Sequence, residues 1–199
     1  MALRQIRQYG DEILTKKAKP VRVFDDALHR LLEDMWDTLR ENDGLGLAAP
    51  QIGMLRQVIV IELEEETYEL INPVMVGSSG SEVKAEACLS VPERQGDVER
   101  PTYVKIEAMD RYGVSYVVEG EDMLATALCH ELDHLDGVLF LDKATNIQKR
   151  LVEETMDEED PEIKKSGQDK DNNKKGKKAI NTASKAVKRQ VTDKSLSNI

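Results

Sequence analysis

The segment that decides the fold is EDMLATALCHELDHLDG, residues 121–137. Its apolar residues recur at helical spacing and a glycine follows them, so the sequence predicts a helix that ends there. Within it, HELDH (130–134) has the HExxH pattern, in which His130 and His134 lie one above the other on a helix. Both imidazoles can therefore face one metal ion, and Glu131 can act as a general base. The alternative, two ordinary histidines beside an unrelated glutamate, is a small risk in a chain with only 3 His.

A catalytic site of this kind usually has a third protein ligand and one open position. His29 is predicted on the solvated face of another helix, which makes it a poor candidate. Cys88, in a short apolar loop, is a better one, although a free cysteine is often only a small buried hydrophobic residue. The spacing alone leaves both interpretations of Cys88 open. Cys129 points about 100° away from the neighbouring histidine around the helix, so we expect it in the core.

An N-terminal helix is predicted from near Asp25 to before Gly44, because apolar residues recur there at three- and four-residue spacing. The predicted buried stripe consists of Ala27, Leu28, Leu31, Leu32, Met35, Trp36 and Leu39. The opposite face is predicted to be solvated and consists of His29, Arg30, Glu33, Asp34, Asp37 and Arg40.

Strand-like segments lie between the two helices, at 57–63, 68–73 and 98–110. The last of these is predicted to form a hairpin with 114–120 across a Tyr-Gly turn. A final helix is predicted from Asn146 to about Met156. The sequence therefore predicts an α+β fold, in which antiparallel β-sheets surround a central HExxH-bearing helix, with an N-terminal and a C-terminal helix.

The charge pattern divides the chain into two parts. Residues 161–199 contain 11 Lys and Arg against 4 Asp and Glu, whereas the whole chain has a net charge of −10. We therefore expect one acidic domain over residues 1–160 and a basic, largely disordered extension over 161–199. No apolar run is long enough for a membrane span, and the start lacks the features of a secretory signal. These observations predict a cytoplasmic protein, in which 2 Cys do not form a disulfide framework.

Three motifs together resemble those of the peptide deformylases: GLGLAAPQIG (44–53), EACLS (86–90) and HELDH (130–134). They occur in this order and at the separation typical of that family, and the resemblance covers roughly residues 1–160. It implies antiparallel sheets wrapped around the HExxH helix. It also implies a metal-dependent hydrolase of protein biosynthesis, which removes the formyl group from the N-terminal formyl-methionine of nascent polypeptides and releases formate.

The same resemblance implies the composition of the metal site. One divalent metal ion per chain would be held by Cys88, His130 and His134. Fe²⁺ is the ion expected from the family, with Zn²⁺, Ni²⁺ or Co²⁺ as alternatives. The ligand types alone do not distinguish between these ions, because two imidazoles and a thiolate suit zinc and iron alike.

Three further residues receive catalytic roles from the resemblance. Glu131 would act as the general base and return its proton to the leaving amine. The side-chain amide of Gln51 and the backbone N–H of Leu89 would stabilise the tetrahedral oxyanion as neutral donors. In isolation, Gln51 would be interpreted as a surface residue, and only the surrounding motif suggests otherwise.

Substrate contacts are expected from Leu45, Gly46, Glu86 and Ala87, since a peptide can add as a strand where glycine permits close approach. The alternatives for the Gly-rich segment are a flexible turn and a phosphate loop, but the latter lacks its Lys-Ser/Thr pair. Ala87 stands where the family usually has glycine. If that position required a positive φ, alanine would be strained, and its methyl group would narrow the entrance to the pocket.

Two other functional classes compete with a deformylase. A different metallohydrolase would cut unformylated peptides, and a binding protein would hold a structural metal or none, with its function in the basic tail. Within that tail, residues 178–191 have the spacing of a weakly amphipathic basic helix, which can fold on an anionic partner. The resemblance to a family that acts on nascent chains implies ribosomal RNA as that partner. The alternative is a solvated, disordered extension. We expect a monomer that acts on N-formyl-Met peptides and does not bind membranes.

Overall fold

The computed structural model describes residues 2–149 and 190–191 of the chain. These residues contain two α-helices and nine β-strands. The helices are α1 (Asp26–Glu41) and α2 (Asp122–Asp136). The strands are β1 (Gly46–Ala48), β2 (Val58–Leu63), β3 (Glu66–Ser79), β4 (Glu82–Cys88), β5 (Val91–Arg100), β6 (Tyr103–Met109), β7 (Ser115–Glu121), β8 (Thr145–Lys149) and β9 (Gln190–Val191).

The strands form two antiparallel sheets. The larger sheet has the order β1-β2-β3-β6-β7-β9, and the smaller sheet has the order β4-β5-β8. Helix α2 packs its apolar face onto the larger sheet, in a core that includes Leu124, Leu128 and Cys129. The predicted α+β class and the core position of Cys129 are thus confirmed. Among the described residues, no helix is long and apolar enough to cross a membrane.

Helix α1 begins and ends where the sequence predicts. Asp25 caps it, because the Asp25 carboxylate accepts hydrogen bonds from the backbone N–H groups of the next turn. The buried stripe is also as predicted, except that Ala27 in the first turn is exposed. The solvated face was predicted wrongly at Asp34, which is only 7% exposed. The reason is that an N-terminal segment covers Asp34, through hydrogen bonds from Ala2 and Arg4.

The strands differ from the prediction where chain connections are tight. The segment 98–110 is not one strand, because β5 ends at Arg100 and β6 begins only after Pro101, which has no N–H for a sheet hydrogen bond. The short loop predicted around Cys88 is instead the end of β4, and β5 starts at Val91. The predicted hairpin of β6 and β7 is confirmed, with antiparallel pairing along its whole length.

The C-terminal helix was predicted wrongly over residues 146–149, which belong to β8. This segment pairs with the free side of β5, so sheet pairing overrides a weak helical pattern. Residues 150–156 lie outside the described residues. The same is true of the basic extension, apart from Gln190–Val191, which forms β9 beside β7 and not the predicted helix.

Helix α2 ends at Gly137, whose φ of 74° is the left-handed conformation that a helix cap requires. A Cβ at this position would lie 2.6 Å from the carbonyl group of Thr15, so a side chain has no space here. Gly137 therefore allows the end of α2 to pack closely against Thr15. The HExxH residues of α2 lie near β1 and the end of β4.

Candidate active site

Three potential metal ligands converge in the interior. Cys88 is the last residue of β4, and His130 and His134 are one turn apart on α2. Their donor atoms all lie within 4.8 Å of one another, and the three side chains are buried. Sγ of Cys88 lies 3.2 Å from Nε2 of His134. The structure therefore brings together the three ligands that the sequence predicts.

The surroundings act oppositely on the two histidines: burial alone would lower the pKa of His130, but its hydrogen bonds to Cys88 and Glu86 outweigh this desolvation and raise the pKa well above the usual value. Burial lowers the pKa of His134 well below its usual value, so its imidazole is neutral, as coordination requires. His130 donates from Nδ1 to the Glu86 carboxylate at 2.8 Å, which leaves Nε2 as the coordinating nitrogen. Two imidazoles and one cysteine sulfur are a donor set that suits zinc or iron and leaves an open coordination position.

A buried network of ion pairs holds the imidazole of His130 through its Nδ1 atom. Glu86 accepts two hydrogen bonds from Arg100, at 2.7 and 3.0 Å, and Arg100 also donates to Asp133 at 2.6 Å. Burial alone would raise the pKa of Glu86, but the hydrogen bonds from His130 and Arg100 lower it to about 2. The Glu86 side chain faces His130 and Arg100, and Glu86 also lines the cleft, so its substrate contact stays a prediction. Sequence reasoning missed Arg100, since no motif or spacing distinguishes it.

Glu131 is buried beside the ligands, and its Oε2 has no hydrogen-bond partner among the described residues. Burial raises the pKa of Glu131 to about 7, which is suitable for a group that takes and returns a proton near neutral pH. Gly46 faces this side chain. A Cβ placed on Gly46 would lie only 2.6 Å from Oε1 of Glu131, so any larger residue at this position would require the Glu131 side chain to shift.

Replacing Gly46 by alanine is therefore expected to displace Glu131 and to lower the kcat of hydrolysis by on the order of 10²-fold, the usual contribution of a general base. The metal ligands are not touched, so metal content should stay unchanged. Gly77→Ala is the matched control, because a Cβ there would meet only Lys105 at an ordinary 3.6 Å. Full turnover by Gly46→Ala would show that Glu131 has room to move.

Gln51 lies in a short 3-10 turn, Ala49–Ile52, directly after β1. It is 1% exposed, so the alternative of a surface residue is wrong. Its Oε1 accepts from the N–H of Ala48 at 2.7 Å, and its Nε2 donates toward Sγ of Cys88 at 3.5 Å and Oγ of Ser90 at 3.3 Å. Sequence reasoning missed Ser90, although it lies within the second motif.

A cleft opens in front of these groups. Leu45, Gly46, Ala87 and Leu89 all line it, as does Met123 at the start of α2. The condition for strain at Ala87 is not met, because Ala87 lies in strand β4 and is not among the described residues with a positive φ. The exposed methyl group of Ala87 borders the cleft beside Cys88. It therefore reduces the space in the cleft and does not alter the backbone conformation.

An HExxH helix, a cysteine from a neighbouring strand and a buried unpaired glutamate at a cleft define a mononuclear metallohydrolase. Residues 3–150 match the family model described as polypeptide deformylase. The chain belongs to the polypeptide deformylase family, whose members remove the formyl group from the N-terminal methionine of nascent polypeptides. The predicted family, enzyme class and reaction are confirmed.

Individual relatives agree with this assignment. The chain is 53% identical to peptide deformylase 1 of Clostridium acetobutylicum over 143 residues, which are 72% of this chain and 95% of the relative. The crystal structure of a peptide deformylase from Legionella pneumophila matches with a TM-score of 0.71 and 42% identity, over 73% of this chain and 88% of that one. A peptide deformylase from Synechococcus elongatus, solved in complex with actinonin, matches with a TM-score of 0.70 and 40% identity, over 72% and 79% of the two chains.

Proposed function

We propose that this chain deformylates N-terminal formyl-methionine with one divalent cation held by Cys88, His130 and His134. The observation that supports this most strongly is the convergence of these three donors with Glu131 and Gln51 on one cleft. A cation bound there supplies Lewis acidity, which favours ionisation of water and polarises the formyl carbonyl. Fe²⁺ is proposed as the native ion on the strength of the family, and Zn²⁺, Ni²⁺ or Co²⁺ as able to replace it.

Glu131 is proposed to move the proton. Its carboxylate takes a proton from the attacking water and returns it to the nitrogen of the leaving amine, after which formate departs. An oxygen of Glu131 that has no hydrogen-bond partner among the described residues supports this role, since no protein contact has to be broken first. The pKa of about 7 that burial gives Glu131 permits both transfers near neutral pH.

Gln51 and Leu89 are proposed to stabilise the oxyanion. The Nε2 group of Gln51 is already directed toward Cys88, and the backbone N–H of Leu89 follows that cysteine directly. Both donors are neutral, so neither would compete with the metal cation for the oxyanion. Oε1 of Gln51 is bound to the N–H of Ala48, which keeps the amide nitrogen on the side of the cleft.

The substrate is proposed to lie along the cleft as an extended peptide. Gly46 would allow the peptide backbone to approach, and Ala87 would lie on the opposite side. The half-exposed side chains of Leu45 and Met123 offer an apolar surface for the methionine side chain.

A formate-release assay on formyl-Met-Ala, with and without a metal chelator, tests the proposal. We expect formate only in the absence of chelator and recovery of activity when a divalent metal is restored. The unformylated peptide is the matched substrate control and should remain intact. Cleavage of unformylated peptides would indicate a different metallohydrolase, and a fully loaded protein that releases no formate would indicate a binding protein.

The remaining expectations stay predictions. The family match ends at residue 150, which supports a catalytic domain over residues 1–160 and a separate basic extension over 161–199. The cytoplasmic location, the monomeric state and a contact of the extension with ribosomal RNA are proposed on charge and family grounds alone.

A further inference from the structure

The N-terminal segment, residues 2–9, crosses the outside of the molecule and is called the N-terminal strap below. All of its side chains are exposed except that of Ile6, which is half-buried; Leu3 is 61% exposed and Tyr9 57%. The strap therefore buries little apolar surface, and burial does not explain why it follows a fixed path. Hydrogen bonds at the two ends of the strap explain its path.

The first end of the strap is anchored on α1. The N–H of Ala2 donates to Oδ1 of Asp34 at 2.9 Å, and the guanidinium of Arg4 donates to Oδ2 of Asp34, with Nη2 at 2.7 Å. The N–H of Arg4 also donates to Oγ1 of Thr38 at 3.0 Å. A carboxylate buried on the outer face of a helix is costly unless it is paired. Asp34 is thus an anchor for the strap and not a solvated surface group.

The second end of the strap reaches the active site. The N–H of Arg7 donates to the carbonyl oxygen of Gln51 at 2.7 Å, and the N–H of Tyr9 donates to the carbonyl oxygen of Ser90 at 2.8 Å. Between them, Nε2 of Gln8 donates to the carbonyl oxygen of Leu89 at 3.4 Å. The three contacts therefore end on the two proposed oxyanion donors and on Ser90, which binds the side chain of Gln51.

The two oxyanion donors belong to different sheets. Gln51 follows β1 of the larger sheet, whereas Leu89 connects β4 and β5 of the smaller sheet. No β-ladder among the described residues joins those two places, so regular sheet pairing does not set their separation. Oxyanion stabilisation requires donors held within a few tenths of an ångström of the correct position. A backbone segment that binds both places supplies this constraint.

We propose that the N-terminal strap is a positioning element for the oxyanion site, with Asp34 as its anchor. The inference rests on the proposed roles of Gln51 and Leu89. The strap touches neither substrate nor metal ligands. It acts through the backbone carbonyls of Gln51, Leu89 and Ser90, and so affects turnover more than substrate or metal binding.

Proline substitutions test this, because proline lacks the backbone N–H. They also remove the original side chain, such as the Arg7 guanidinium near Asp11, and Arg7→Ala, which keeps the N–H, separates the two effects. Arg7→Pro and Tyr9→Pro are each expected to lower kcat on formyl-Met-Ala about tenfold, with KM and metal content unchanged. Gln5→Pro is the matched control, since the N–H of Gln5 binds no described residue, and it should keep the kcat of the unmodified protein. Equal loss in all three variants would overturn the proposal, as would no loss in any.

Two readouts separate positioning from general damage to the fold. In a Gln51→Ala background, Arg7→Pro should cause no further loss of kcat, whereas a merely structural effect would multiply with that of Gln51→Ala. The N–H of Ala48, which binds Oε1 of Gln51, should exchange with solvent deuterium faster in Arg7→Pro and at the unmodified rate in Gln5→Pro. Unchanged exchange in Arg7→Pro would overturn the proposal.

A milder variant covers the possibility that the proline variants do not fold. Arg4→Ala removes a guanidinium that is 48% exposed, and it should weaken the anchor at Asp34 with about a threefold loss of kcat and faster Ala48 exchange. If Gln51→Ala itself keeps full activity, the proposed role of Gln51 fails on its own measurement. The proposal for the strap is then tested by deuterium exchange of the Ala48 N–H alone. An unchanged exchange rate in Arg7→Pro would overturn the proposal.

Discussion

Replacing Cys88 by alanine is expected to remove the metal and abolish deformylation together. The proposed site has three protein ligands, so loss of the thiol would leave only His130 and His134 to hold the ion. His130→Ala and His134→Ala should behave in the same way. Metal analysis of each purified variant, combined with formate release from formyl-Met-Ala, measures both effects. Full metal occupancy with full turnover in Cys88→Ala would show that the ligand set is wrong.

Cys129→Ala is the matched control for the Cys88 variant. Both thiols are buried to the same extent, each 5% exposed, but Cys129 packs in the core between α2 and the larger sheet. We expect Cys129→Ala to keep its metal and its turnover and to lose stability on the order of 1 kcal/mol. This control separates the loss of a ligand from the loss of a buried thiol.

The second large effect is expected at Glu131. Glu131→Gln keeps the size of the side chain but cannot accept the proton from the attacking water, so kcat should fall by at least about 10²-fold. Metal content should remain that of the unmodified protein, because Glu131 is not one of the three converging ligands. Glu131→Ala should behave likewise.

Steady-state kinetics on formyl-Met-Ala and metal analysis together measure this prediction. Glu121→Gln is the control, since Glu121 is an exposed acidic residue immediately before the same helix and makes no capping hydrogen bond. It should leave kcat unchanged. A Glu131→Gln variant with near-normal kcat would mean that another group activates the water.

The HExxH ligands could be predicted because their relationship is local. His130 and His134 are four residues apart on one helix, and helical geometry alone places them on one face. Cys88 lies more than forty residues before His134 in the chain, and the contact between them depends on how β4 ends. Only the resemblance to a family selected Cys88, since spacing left an ordinary buried cysteine equally open.

The residues that support the site could not be predicted from the sequence, because their roles depend on contacts between segments that are distant in the chain. Arg100 reaches Glu86 only because β4 and β5 pair in one particular register. Asp34 has the sequence position of a solvated residue and is buried only because the N-terminal strap covers it. The segment 146–149 became a strand since β5 offered it a pairing edge. In each case the local pattern was overridden by a partner elsewhere in the chain.

The three proposed ligands come from two different parts of the fold, and this affects the stability of the folded protein. Cys88 belongs to the smaller sheet, whereas the histidines belong to a helix packed on the larger sheet. An ion that binds all three closes a loop of 46 residues between Cys88 and His134, as a cross-link would. Binding energy that is available only in the native arrangement also stabilises that arrangement by mass action. A catalytic ion held by these three residues would therefore also join α2 to the smaller sheet, and we expect loss of metal to lower the stability of the folded enzyme.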